Sequence, residues 1–175
     1  MVESLALRSR RCRQVRLNIH PTAEYRRVLD ILNSLDLPAS VGSPENVKFA
    51  VLELISNSLR AHRERGVREP VRTVLRFEDG HLTVTIRDFG GGFDPSTLPY
   101  DLDGDVQAVD PNDSSFQEYQ KRNNFQRFGM GLLVARRVFP SFSLAFLDAE
   151  GLQVRWGEGA VSGTLIRMST EGTAA

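Results

Sequence analysis

Residues 71–78 (VRTVLRFE) and 81–88 (HLTVTIRD) alternate apolar and polar side chains on either side of Asp79-Gly80. Period two marks strands with one buried face, and Asp-Gly readily supplies the positive φ angles of a tight hairpin turn. A hairpin here commits the chain to antiparallel sheet with one face in need of cover. Cover is available upstream. Ser43-Pro44-Glu45-Asn46 places an N-cap serine before proline at the first helical position. The helix it opens reaches to about Glu64 or Arg65, where Gly66 stops it, and Val47, Ala50, Val51, Leu54, Ile55 and Leu59 form its core-facing stripe. Residues 15–20 (VRLNIH) read as a short strand. A helix opened by Pro21 carries Tyr25, Val28, Leu29, Leu32 and Leu35 at helical spacing and closes at Leu37-Pro38.

Downstream, residues 94–127 show little sustained apolar periodicity and much Asp, Asn, Ser and Pro. A connection of that length inside a compact domain is read as a functional lid, about 94–128. Gly129 to Val138 follows as a helix ended by Pro140, and FSLAFLD, LQVRW and VSGTLIRMS are strand candidates. The element order predicts an α+β fold: a two-layer α/β sandwich with a mixed, mostly antiparallel sheet and helices on one face.

A chain of 175 residues supplies one good hydrophobic core, so residues 15–170 are expected to form a single domain. Residues 1–14, with Arg8, Arg10, Arg11 and Arg13, read as a flexible arm, and residues 171–175 as a tail. Lys+Arg and Asp+Glu are both 22, which argues against nucleic acid and anionic membrane as partners. The balance is uneven along the chain. Between Arg87 and Lys121 there is no Lys or Arg, while Asp88, Asp94, Asp101, Asp103, Asp105, Asp110, Asp113 and Glu118 all fall there. The single cysteine, Cys12, excludes an internal disulfide and a cysteine-based zinc site. With no signal peptide and no apolar run of membrane-spanning length, a cytoplasmic location is expected. His20 reads as a strand-end polar residue, His62 and His81 as surface or turn positions, and Trp156 as sheet core with Phe142, Leu144 and Phe146.

Three polar or glycine-rich groups interrupt the pattern. Glu53 and Asn57 lie four residues apart and share one face of the longer helix, beside the apolar stripe. Asp88 ends a strand and is followed by Gly90, Gly91 and Gly92, which let the backbone turn and approach a ligand closely. Gly129 and Gly131 open a helix, where backbone amides and the helix dipole together suit phosphate. Taken singly, these also fit a solvated helix flank, a capped turn and a hinge. Their order and spacing are much more specific.

In that order, the Glu53–Asn57 segment, DFGGGF from Asp88, the lid, GMGL from Gly129 and the late Gly163-Thr164 resemble a known set. They are similar to the asparagine box, the two glycine boxes and the terminal box of the GHKL (histidine kinase-like) ATPases. The resemblance runs from about Val15 to Ser169, and in layout it is closest to the bacterial anti-sigma factor serine kinases. It implies the Bergerat-type ATP-binding fold, with ATP and Mg2+ as cofactors. It further implies Asn57 as metal ligand, Glu53 as general base, Asp88 on the adenine amine and Thr164 beside it. Gly90 and Gly92 would leave room for the nucleotide, and Gly129 and Gly131 would present amides to the phosphates. Where the anti-sigma kinases are expected to place a histidine, four residues after the asparagine, this chain has Ala61, with His62 one later. Arg60 instead resembles the basic residue that histidine kinases set near the phosphates, and Arg127 at the end of the lid is a second such candidate. The implied activity is a regulatory serine kinase acting on a small anti-anti-sigma (STAS-type) protein, with a sigma factor as alternative client and a possible homodimer. The alternative is an ATP-gated protein-binding module, or a stand-alone domain of the same type without kinase activity.

Overall fold

The computed structural model describes residues 4–123 and 130–171. In chain order the elements are β1 (Leu5–Leu7), β2 (Arg10–Cys12), β3 (Gln14–Ile19), α1 (Tyr25–Asn33), β4 (Leu35–Asp36), α2 (Pro44–Arg65), β5 (Val71–Glu78) and β6 (His81–Arg87). There follow α3 (Ser114–Arg122), α4 (Met130–Val138), β7 (Ser141–Leu147), β8 (Gln153–Val154) and β9 (Gly163–Ser169). Asp79 and Gly80 take φ of 51° and 84°, the turn expected of this dipeptide. The β5–β6 hairpin it closes sits at the centre of a six-stranded sheet of order β3-β5-β6-β9-β7-β8, in which every recorded pairing is antiparallel.

The period-two pattern decides which face is covered. Val71, Leu75, Phe77, Leu82, Val84, Ile86, Ile166 and Met168 all point to one side and are buried there in one core with residues of α1, α2 and α4. This is the two-layer α+β sandwich. The Ser43 side chain caps α2 by accepting from Asn46 N, and Gly66 ends it at φ 67° in the left-handed region. The six stripe residues predicted for α2 are all buried.

Three elements differ from the sequence-based expectation. First, α1 begins at Tyr25 rather than Pro21, and Tyr25 is 51% exposed. The helix ends at Asn33 because Ser34 turns its hydroxyl onto Ile31 O, and Leu35 leaves the helix to pair with Leu7 in β4. Second, the arginine-rich start is a hairpin, not a flexible arm. β1 pairs β2 on one edge and β4 on the other, and Leu5 is fully buried in the main core. One inward leucine among exposed arginines is too short a pattern to show as a strand in sequence.

Third, the described part of the lid, up to residue 123, is folded. Val106 and Phe116 of the lid pack on Leu133 of α4 as a small separate core. Arg136 donates to Leu102 O, and Arg137 to Val106 O and Val109 O, which buckles the lid to α4. The acidic residues are used as turn formers. Asp94, Asp101, Asp105 and Asp110 each accept from the backbone N–H two residues on. Among the described residues no cluster of acidic, histidine or cysteine side chains suits a metal ion. No helix among them is long and apolar enough to cross a membrane.

Candidate functional site

A cavity of about 600 Å3 opens between α2, the end of β6, the start of β9 and the lid, within the range of small-molecule sites. Glu53, Asn57, Arg60, Asp88, Gly90, Gly92, Gly131 and Thr164 all line it. Arg127 and Gly129 lie outside the described residues.

Asp88, carried to the floor of the cavity by the last step of β6, is 6% exposed. Its Oδ2 accepts from Ser58 Oγ at 3.0 Å and from Thr164 Oγ1 at 2.5 Å, and its Oδ1 accepts from Gly90 N at 2.9 Å. A carboxylate offers about four acceptor positions, so roughly one, on Oδ1, is left for a donor entering the cavity. The exocyclic amine of adenine is such a donor, whereas guanine presents an acceptor at the equivalent position. The residues present therefore fit the adenine end of ATP. β9 approaches β6 here so closely that a Cβ on Gly163 would stand 2.1 Å from Asp88 O, which is why glycine precedes Thr164.

Along α2, Ser58 and Ala61 face the Asp88 end, since Ala61 lies against Gly90. Asn57 sits where α4 crosses α2. A Cβ on Gly131 would fall 2.5 Å from Asn57 Nδ2, so Gly131 serves this crossing. Glu53 is one turn further, a rise of about 6 Å. Burial raises its carboxyl above the ordinary value, with Arg60 pulling the other way. Arg60 donates through Nη2 to Asn57 Oδ1 at 3.0 Å and faces Glu64 Oε1 at 3.8 Å. Arg65 of α2 and Arg122 at the end of α3 also line the cavity. The amide oxygen of Asn57 suits a hard divalent cation, which takes oxygen ligands and retains several waters.

Ser58 and His62 were not legible as site residues, although helical spacing from Val51 and Ile55 puts both within the apolar stripe. A polar residue interrupting such a stripe is the signal that marks them. His62, expected at the surface, is fully buried. Its Nε2 accepts from Phe89 N at 2.8 Å, and its Nδ1 stands 2.9 Å from Glu69 O, an acceptor, so Nδ1 carries the proton. It thus anchors the backbone between Asp88 and Gly90. Trp156 also departs from expectation. It is 37% exposed, tilts against Phe146 at 5.3 Å and lines the cavity rather than the core. β8, only two residues long, ends before it.

Comparison with curated proteins finds no match. The family model of the histidine kinase-like ATPase domain matches residues 15–156, from β3 through the cavity-lining Trp156. With that span covering most of the chain, the protein belongs to the histidine kinase-like ATPase family.

Proposed function

We propose that this protein is a cytoplasmic, Mg-ATP-dependent regulatory kinase that transfers the γ-phosphoryl group to a serine hydroxyl of a small anti-anti-sigma partner. The observation that carries the reading is the order of groups along one helix. Ser58 beside Asp88, Asn57 at the α4 crossing and a half-buried Glu53 one turn on follow one another as base, metal and reacting phosphate would. Asp88 and Thr164 hold the adenine edge. Asn57 would hold the magnesium ion, which when bound supplies charge stabilisation to the phosphates. Arg60 and Arg122 are the basic groups in reach of the phosphate end, with Arg127 and the amides of Gly129 and Gly131 as the further phosphate contacts.

Glu53 accepts the proton of the incoming serine hydroxyl. A carboxyl raised by burial is a stronger base than an exposed one. Arg60, which donates to Asn57 Oδ1, would compete with a metal for that oxygen, and its guanidinium would be a phosphate contact once released. Glu53→Gln tests the assignment. ATP affinity is expected to persist while phosphate transfer to candidate serine-bearing partners falls by at least ~100-fold. Tight ATP binding by the wild type without turnover or transfer would instead favour an ATP-gated binding module, a reading supported by the lid's being already packed on α4.

A further inference from the structure

The sheet has a second face, opposite α1, α2 and α4. The strand register puts Arg16, Arg72, Arg76, Arg87 and Arg167 on it. Arg16 and Arg167 lie in one row, Arg16–Val74–Thr85–Arg167–Ser143, and so stand roughly 14 Å apart across three strand spacings. In the next row Arg72 and Arg87 are direct cross-strand partners. Like charges directly opposite cost stability, and here the pair is partly compensated by Phe89, whose ring centre lies 5.4 Å and 5.2 Å from the two guanidiniums. The only carboxylate on the paired strand positions of this face is Glu78, at the hairpin end opposite His81. None of the five arginines has an ion-pair partner among the described residues. Arg16, Arg72, Arg76 and Arg167 are exposed.

In a chain whose charges balance, five cations against the single carboxylate of Glu78 on the paired strand positions of one flat face are an electrostatic footprint. We propose that this outer sheet face is a docking surface for an acidic surface of a partner protein. Guanidinium forks match carboxylates bidentately, and the low floor of Val74, Thr85 and Leu165 between them leaves the forks accessible. Nucleic acid fits less well. Apart from His81 at the hairpin end, the strand positions of this face carry no aromatic ring, the nearby Phe89 ring is already taken up by Arg72 and Arg87, and a broad sheet does not enter a duplex groove. The face lies on the other side of the sheet from the cavity, so a partner can be held there whatever occupies the cavity. The proposal goes beyond the kinase reading and does not depend on it.

The test uses the full chain without nucleotide. The probe is labelled poly-L-glutamate, with single-stranded and duplex oligonucleotides as competitors. Arg72→Gln/Arg87→Gln/Arg167→Gln is expected to weaken poly-glutamate binding at least ~10-fold, against less than ~2-fold for Arg8→Gln/Arg10→Gln/Arg11→Gln on the N-terminal hairpin. Arg16→Gln/Arg76→Gln, at the margins of the same face, is expected to act in the same direction and answers the question if the triple variant does not fold. Three results would overturn the proposal: no binding by wild type, equal weakening by the N-terminal variant, or an oligonucleotide displacing poly-glutamate from the face at equal charge concentration.

Discussion

Replacing Asp88 by Asn changes one atom in the cavity floor, and the surroundings dictate how the amide must sit. Gly90 N can only donate, so the amide oxygen has to take the Oδ1 position, 2.9 Å from that nitrogen. The NH2 then faces Ser58 Oγ and Thr164 Oγ1, and both hydroxyls can rotate to accept. The acceptor offered to the adenine amine therefore survives but loses its charge. A hydrogen bond to a charged group is worth about 1.5–3 kcal/mol and a neutral one about 0.5–1.5, so the loss is about 1–2 kcal/mol. That corresponds to ATP binding weakened roughly 5- to 30-fold, with ATP still preferred over GTP. Asp88→Ala removes the acceptor altogether and also strands Gly90 N and two hydroxyls. A further drop in affinity is expected, with a loss of stability of about 2–4 kcal/mol. Titration calorimetry with ATP, ADP and GTP, with and without magnesium, reads the first effect, and urea denaturation the second. Wild-type ATP affinity in Asp88→Asn, or a variant that now prefers GTP, would refute the assignment of Asp88 to the adenine amine.

Glu53 gives a pH prediction. Burial raises its carboxyl in the folded protein, so the fold favours the protonated form: that stability is complete below the unfolded value and lost as pH rises through the folded one. Glu53→Gln, fixed in a neutral form, should match wild type below about pH 4 and exceed its urea midpoint near pH 7, while wild-type turnover rises with pH through the same window; a stability difference that does not vary with pH counts against it. His62→Ala should cost about 2–4 kcal/mol and weaken ATP binding by loosening Phe89, and His62→Phe, which keeps volume but leaves Phe89 N and Glu69 O without their partner, about 1–3 kcal/mol; two neutral outcomes in urea denaturation would remove the anchor. Phe116→Ala should open the lid locally, raising protease cleavage within residues 98–122 by about 100-fold while the urea midpoint stays near wild type. An equal fall in the midpoint would show that lid and core unfold as one.

Much of the scaffold was legible because its signals are local. The Asp79-Gly80 turn, the Ser43-Pro44 cap and the Gly66 stop act through backbone geometry within a few residues, and they stand where they were read. Tertiary pairing overrode the local reading elsewhere. Helical spacing assigned Leu35 to α1, but β1 claims it for a strand, and the same pairing turns an arginine-rich arm into a hairpin. Composition hid the lid's core, since Val106, Phe116 and Leu133 are far apart in sequence and meet only through the packing of α4. Trp156 was assigned to the core by type, yet the sheet ends before reaching it.

Local spacing is enough to define the pieces of the site: Glu53 one turn from Asn57 on a helix face, and Asp88 at a strand end before glycines. Those relations are set by the 3.6 and 2.0 periods of the backbone. What each piece touches depends on the packing of elements distant in sequence. Ser58 and Thr164 join on Asp88 because β9 lies beside β6 under α2, Arg60 closes on Asn57, and His62 pins Phe89. The charge balance divides in the same way. Local Asx turns explain the acidic lid from sequence outward, whereas the arginines of the outer face, spread from residue 16 to residue 167, become neighbours only through strand register.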